Sequence, residues 1–224
     1  MKLENLSSRE INMKLNNYEY IIFDFNGTIL DDVDLCIYIL NYMLEEHGYR
    51  KVTKERYLDI FTFPIIEYYK LAGFDFNKHS FHDLSIEFIN MYQQASLKCL
   101  IYDGVIELLN KLKQLNKKII LLSASQIDNL LEQTNHFDIT KYFDKILGLD
   151  NIQAKSKIDI AKKYFSDNNI DLSKAIMIGD TIHDMEVANE LNINSVLIAN
   201  GHQSYNRLKK IKKEVYRTIK EIEI

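Results

Sequence analysis

The chain of 224 residues carries 28 Lys and Arg against 32 Asp and Glu, a net charge of −4, with 46% hydrophobic residues. That balance is enough to bury a substantial core and argues against a disordered chain. It shows no basic excess of the kind nucleic acid requires, and no run of about 18 apolar residues that would span a membrane.

The two cysteines, Cys36 and Cys99, lie in apolar surroundings and form no CxxC. They read as small buried hydrophobes in a reducing compartment, so a cytoplasmic location is expected. Residues 1–18 are polar and do not read as a signal peptide.

In chain order, residues 19–23 form an apolar run that ends at Asp24 and predicts a strand. Residues 33–99 then read as almost pure helix. Val33, Ile37, Leu40 and Leu44 share one face, Gly48 is a stop, and Thr53 caps a second helix. Phe63-Pro64 breaks the run, and the Ser80 to Asp83 pattern opens a helix toward Ala95. A further helix is predicted over residues 104–115, where Val105, Leu108, Leu109 and Leu112 recur at helical spacing. Strands follow at residues 117–122, ending at Ser123, and at 143–147. Next come a helix at 157–165, a strand at 174–178 ending at Gly179-Asp180, a helix at 184–191 and a strand at 194–198. The basic run at 208–213 reads as a solvated helix face.

Unbroken apolar strands alternating with helices predict an α/β fold, a doubly wound parallel sheet covered on both faces. Residues 18–32 and 100–224 would form this core. Residues 33–99 would form a helical cap domain inserted after the first strand.

In such sheets ligands bind beyond the carboxyl ends of the strands. Asp24, Ser123 and Asp180 therefore fall on one rim. Asp24 opens Asp24-Phe25-Asn26-Gly27-Thr28, where a carboxylate on a tight turn can attack phosphorus and Gly27 leaves backbone N–H groups exposed to a phosphate. Asp180 and Asp184 stand four apart in Gly179-Asp180-Thr181-Ile182-His183-Asp184. Together with Asp24 they suit a hard, oxygen-liganded cation such as Mg2+. Ser123, followed by Ala124, offers a hydroxyl and N–H groups to a phosphate oxygen. Lys155 or Lys157 would neutralise the phosphate and hold the Asp24 carboxylate.

These elements, in this order, resemble the haloacid dehalogenase (HAD) superfamily over nearly the whole chain from Tyr20 to Gly201. The first motif is matched by Asp24 to Thr28, the second by Ser123, the third by Lys155 or Lys157, and the fourth by Asp180 with Asp184. The helical insert looks like the cap of phosphoglycolate phosphatase-like members. The resemblance implies a Rossmann-like core and a Mg2+-dependent phosphatase acting on a small phosphorylated metabolite through an aspartyl-phosphate on Asp24. It implies Asp24, Asn26, Ser123 and a lysine as catalytic residues, and Gly27, Thr28 and Ala124 at the substrate. Asp24, the Asn26 carbonyl, Asp180 and Asp184 would hold the metal. A monomer or homodimer is expected, with no nucleic acid and no membrane as partner.

One position departs from the pattern. The family phosphatases carry a second Asp two residues after the nucleophile, which protonates the leaving group; this chain has Asn26. An amide orients by hydrogen bonds but cannot transfer a proton. Three readings follow: good leaving groups, another acid such as His183, or a catalytically weak or inactive protein that binds a phosphorylated ligand or partner.

Overall fold

The computed structural model describes residues 14–149 and 156–224. Ile21, Ile22 and Phe23 are fully buried, as a strand covered on both faces must be. They belong to β1 (Tyr20–Phe23), which pairs in parallel with β4 (Lys118–Gln126) on one side and β6 (Ala175–Gly179) on the other. β5 (Lys145–Leu149) extends the sheet beyond β4, while β7 (Asn194–Ile198) and β8 (Val215–Tyr216) extend it beyond β6. The sheet order is β5-β4-β1-β6-β7-β8, parallel throughout. The chain builds outward from β1 through β4 to β5, then crosses to start again at β6. The strand order therefore reverses beside β1, and a crevice opens there above the strand ends.

Helices α5 (Val105–Gln114), α6 (Ile127–His136), α7 (Lys157–Asp167), α8 (Ile182–Glu190) and the short α9 (Tyr205–Lys209) connect these strands. One apolar cluster joins α5 to Ile21, Phe23, Ile119 and Leu121. A second joins α7 and α8 to Ile22, Ile120, Leu122 and Met177 on the other sheet face. Alternate residues of one strand thus feed opposite clusters, as the strand period of two demands.

The helical block contains α1 (Val33–Glu46), α2 (Lys54–Ile60), α3 (Ile65–Ala72) and α4 (Phe81–Ser96). Thr53 and Ser80 accept hydrogen bonds from Arg56 and Asp83 N–H groups, and so start α2 and α4. These helices bury their own cluster, including Leu40, Leu44, Tyr57, Tyr68 and Leu84. The chain enters the block through β2 (Leu30–Asp31) and leaves through β3 (Leu100–Ile101), and the two pair antiparallel as a two-stranded stem.

Several elements differ from the sequence reading. Ser123 does not end its strand; β4 runs on to Gln126 because Gln126 still pairs with Leu149 across a register shift. The amphipathic α6 and the two-residue strands β2, β3 and β8 are additional. The basic run is not one solvated helix: α9 stops at Lys209 and Leu208 is fully buried.

Candidate active site

Asp24 follows β1 directly, and its N–H donates to Ile178 O of β6 at 2.9 Å, so strand pairing fixes the root of this carboxylate. Asp180 follows β6 in the same way. Thr181 caps α8 in a reciprocal capping box: its hydroxyl accepts from Asp184 N–H, and Asp184 Oδ2 accepts from Thr181 N–H at 3.0 Å and its hydroxyl at 2.7 Å. The pattern Asp180 to Asp184 thereby turns both side chains toward Asp24. Carboxylate oxygens of the three lie within 4.8 Å of one another.

Lys157 is the first residue of α7, which starts there because the Ser156 hydroxyl accepts from Asp159 N–H. Its side chain is only 2% exposed. The ammonium donates to Asp24 Oδ1 and, at 2.7 Å, to Asp184 Oδ1. The other candidate, Lys155, lies outside the described residues.

Charge at this site is not balanced. Burial pushes the Asp24 carboxyl up to about 7, against the pull of Lys157. Burial likewise pushes Asp180 up to about 8; His202 opposes this, while Asp184 and Asp24 add to it. Asp184 goes the other way: burial would raise it, but Lys157 and Thr181 hold it below the usual carboxylate range. Lys157 is raised, because its two carboxylates outweigh the desolvation that would lower it. Excess negative charge on buried oxygens is what a hard divalent cation neutralises, so the donor set fits Mg2+.

A second buried network lies alongside and was not read from the sequence. Asp32 Oδ2 accepts from Asn26 Nδ2 at 3.0 Å and from Tyr92 OH at 2.5 Å. Asp32 Oδ1 accepts from Gly27 N–H at 2.9 Å and lies 3.2 Å from His202 Nε2. His202 Nδ1 bonds Tyr57 OH at 2.7 Å, and the His202 main-chain N–H donates to Asp180 Oδ2 at 2.6 Å. Burial opposes charge on both partners of the Asp32–His202 pair. Asp32 and its neighbours nonetheless carry the imidazolium up to about 9, and His202, Tyr92 and Asn26 hold Asp32 low. Asn26 is fully engaged, since its amide also donates to Tyr92 OH and its Oδ1 accepts from Ser125 Oγ at 3.0 Å.

Two expected substrate contacts take other places. The Gly27 N–H is not left exposed for a phosphate: it donates to Leu30 O and Asp32. What the site needs from Gly27 is its positive φ of 72° and the space where a Cβ would strike Asp180 and His202. Thr28 is fully buried and its hydroxyl donates to Asp180 Oδ1 at 3.1 Å, behind the carboxylates. Ser123 and Ala124 do line the cavity, with the Ser123 hydroxyl accepting from Ser125 N–H at 3.0 Å. His183 lines it too, stacked on Phe63 and 3.3 Å from Glu186.

The cavity holds about 320 Å3 between the strand ends and the helical block. Tyr92 could not have been tied to Asn26 from sequence, because 66 residues and a separate helix intervene. Asp32 had a signal in the adjacent acidic pair Asp31-Asp32, of which only Asp32 is buried.

Fold and rim together define a Rossmann-like α/β protein with its ionisable groups at the switch point of a parallel sheet. The chain belongs to the haloacid dehalogenase-like hydrolases, whose family pattern matches residues 21–198. It is 23% identical over 200 residues to a putative pyrophosphatase PpaX of Caldanaerobacter subterraneus, covering 88% of each chain. It is 23% identical to a phosphoglycolate phosphatase of Psychrobacter arcticus, covering 82% of this chain and 84% of that protein. A haloacid dehalogenase-like family hydrolase from Streptococcus pneumoniae shares the fold with a TM-score of 0.77 at 19% identity, over 90% of this chain and 94% of that one. Among the described residues no helix is long and apolar enough to cross a membrane.

Proposed function

We propose that the chain is a Mg2+-dependent phosphatase of small phosphomonoesters, with Asp24 as the nucleophile and residues 33–99 as a cap over the site. The observation that carries this reading is the buried Asp24 carboxylate, held by Lys157 beside Asp180 and Asp184 and facing the cavity under the helical block. Asp24 and Asp180, with the Asn26 main-chain carbonyl, would hold the cation. Asp184, which accepts from Lys157 and Thr181, would complete the acidic cluster from the start of α8. A bound divalent cation supplies neutralisation of the charge on the phosphoryl oxygens.

Asp24 attacks phosphorus in line. An O–P bond forms to its carboxylate, and the ester P–O bond breaks with its electron pair going to the leaving oxygen. Water then attacks phosphorus, the Asp24 O–P bond breaks with its electron pair returning to the carboxylate, and phosphate leaves carrying the water's oxygen and a proton. Lys157 orients Asp24 and offsets the phosphoryl charge, and Ser123 and Ala124 line the phosphate end of the cavity. The cap excludes bulk water, which strengthens each of these interactions. Phosphoglycolate and pyrophosphate, which the names of the relatives suggest, join simple aryl esters as substrates to test.

A second reading, a protein that binds a phosphorylated ligand without turning it over, is favoured by Asn26. Its amide and carbonyl are committed to Asp32, Tyr92 and Ser125, and it has no proton to give. Phosphate release from p-nitrophenyl phosphate, with Mg2+, with chelator and as Asp24→Asn, separates the two. Turnover lost in both controls supports the phosphatase; ligand binding without turnover supports the binder.

A further inference from the structure

The cap side of the cavity is made of rings. Tyr57, Phe61, Phe63, Tyr68, Phe88 and Tyr92 line it, with Ile65 and Ile89 between them. Among the described residues, no Lys or Arg from the cap reaches it. The basic side chains that do line it are engaged: Lys157 by Asp24 and Asp184, His202 by Asp32, and the His183 ring by Glu186 at 3.3 Å. A leaving group carrying a carboxylate or a second phosphate would lose its water against this wall and find no counter-charge, a heavy desolvation cost. A flat apolar group would instead meet the stacked pair Phe88 and Tyr92, whose rings lie 5.7 Å apart at 14°, and the Phe61 and Phe63 edge contact.

Leaving-group chemistry points the same way. Among the described residues the groups around Asp24 are engaged: Asn26 has no proton to give, Asp32 is paired with His202, Lys157 with Asp24 and Asp184, and His183 lies beside Glu186. A phenol, with acidity near the tyrosine value of about 10, departs unaided far more readily than an alkanol, closer to water at about 15.7.

We propose that the site takes small aryl phosphates, with a neutral ring seated among the cap aromatics. This rests on the phosphatase reading and names its substrate class.

The test uses the full chain with Mg2+. Binding is measured on Asp24→Asn, from the fluorescence of 1-naphthyl phosphate and its displacement by 2-phosphoglycolate and pyrophosphate. Turnover of all three, and of phenyl phosphate, is measured on the wild-type protein. Binding separates recognition from the intrinsic reactivity of aryl esters. The expected result is 1-naphthyl phosphate bound at least about tenfold tighter than either competitor and turned over fastest, with Phe88→Ala weakening it by roughly 10-fold or more. Tighter binding and faster turnover of 2-phosphoglycolate or pyrophosphate would overturn the substrate class and leave the phosphatase intact. Tight naphthyl binding without Asp24-dependent turnover of any ester would overturn the phosphatase and keep the pocket assignment. Neither binding nor turnover would overturn both.

Discussion

Asn26 and Asp32 are joined by a 3.0 Å hydrogen bond from the amide to a buried carboxylate. An acid at position 26 would place two carboxyl groups in contact, and like charges at that distance cannot both ionise. Asn26→Asp is therefore expected to destabilise the fold by about 1–3 kcal/mol, with Asp32→Asn in the same chain less damaging than the two single losses added. The new acid would be held protonated beside the leaving oxygen. Turnover of alkyl phosphates should then rise by about 10² to 10⁴ while aryl esters change little. Denaturant unfolding of the single and double variants, with the alkyl-to-aryl ratio of kcat, checks both halves.

Lys157 is the cation shared by Asp24 and Asp184. Lys157→Met leaves both carboxylates buried without it, and breaking a buried pair in this way costs about 3–5 kcal/mol. Urea unfolding of this variant should show that loss, and phosphate release should fall with it. An unchanged midpoint would mean that the carboxylates are not held as described.

His202 sets an alkaline limit. Its folded pKa, up at about 9 against an ordinary 6.5, means that the folded state binds this proton more tightly than the unfolded chain. The resulting stability is fully present below pH 6.5 and is lost as pH rises through 9. Thermal melts with saturating Mg2+, which takes up the titration of Asp24 and Asp180, should show a decline across that window. His202→Gln should flatten it.

Metal removal should act through the raised carboxyls. Asp24 and Asp180 stand at about 7 and 8 without a cation, so Mg2+ must displace protons to bind. The rise in Tm on adding Mg2+ should be larger at pH 8 than at pH 6, and Asp180→Asn should abolish most of it. At a hundred times the dissociation constant the stabilisation is about 2.7 kcal/mol.

The core was legible in the sequence because its strands are unbroken apolar runs ending in carboxylates. Asp24 and Asp180 at strand ends, with Asp184 four residues on, mark the rim in the sequence itself. Short elements were not legible: β2 and β3 hold two residues each, and only pairing with one another makes them strands. Spacing alone does not show that Lys157 points inward; the Ser156 cap that starts α7 does. Gly27 and Thr28 matched a phosphate-loop pattern, yet their polar atoms answer Leu30, Asp32 and Asp180, which depends on where β2 and β6 fall. The Asp32–His202 pair, 170 residues apart, was invisible to any local rule.

The claim that Asp24 is the nucleophile is tested most directly by acid-quenching the protein during Mg2+-dependent turnover of 1-naphthyl phosphate and weighing its peptides. The account predicts one added phosphoryl group on the peptide containing Asp24, absent in Asp24→Asn, which should also be silent in turnover. Turnover that persists in Asp24→Asn, or a phosphoryl group trapped on another residue, would contradict it.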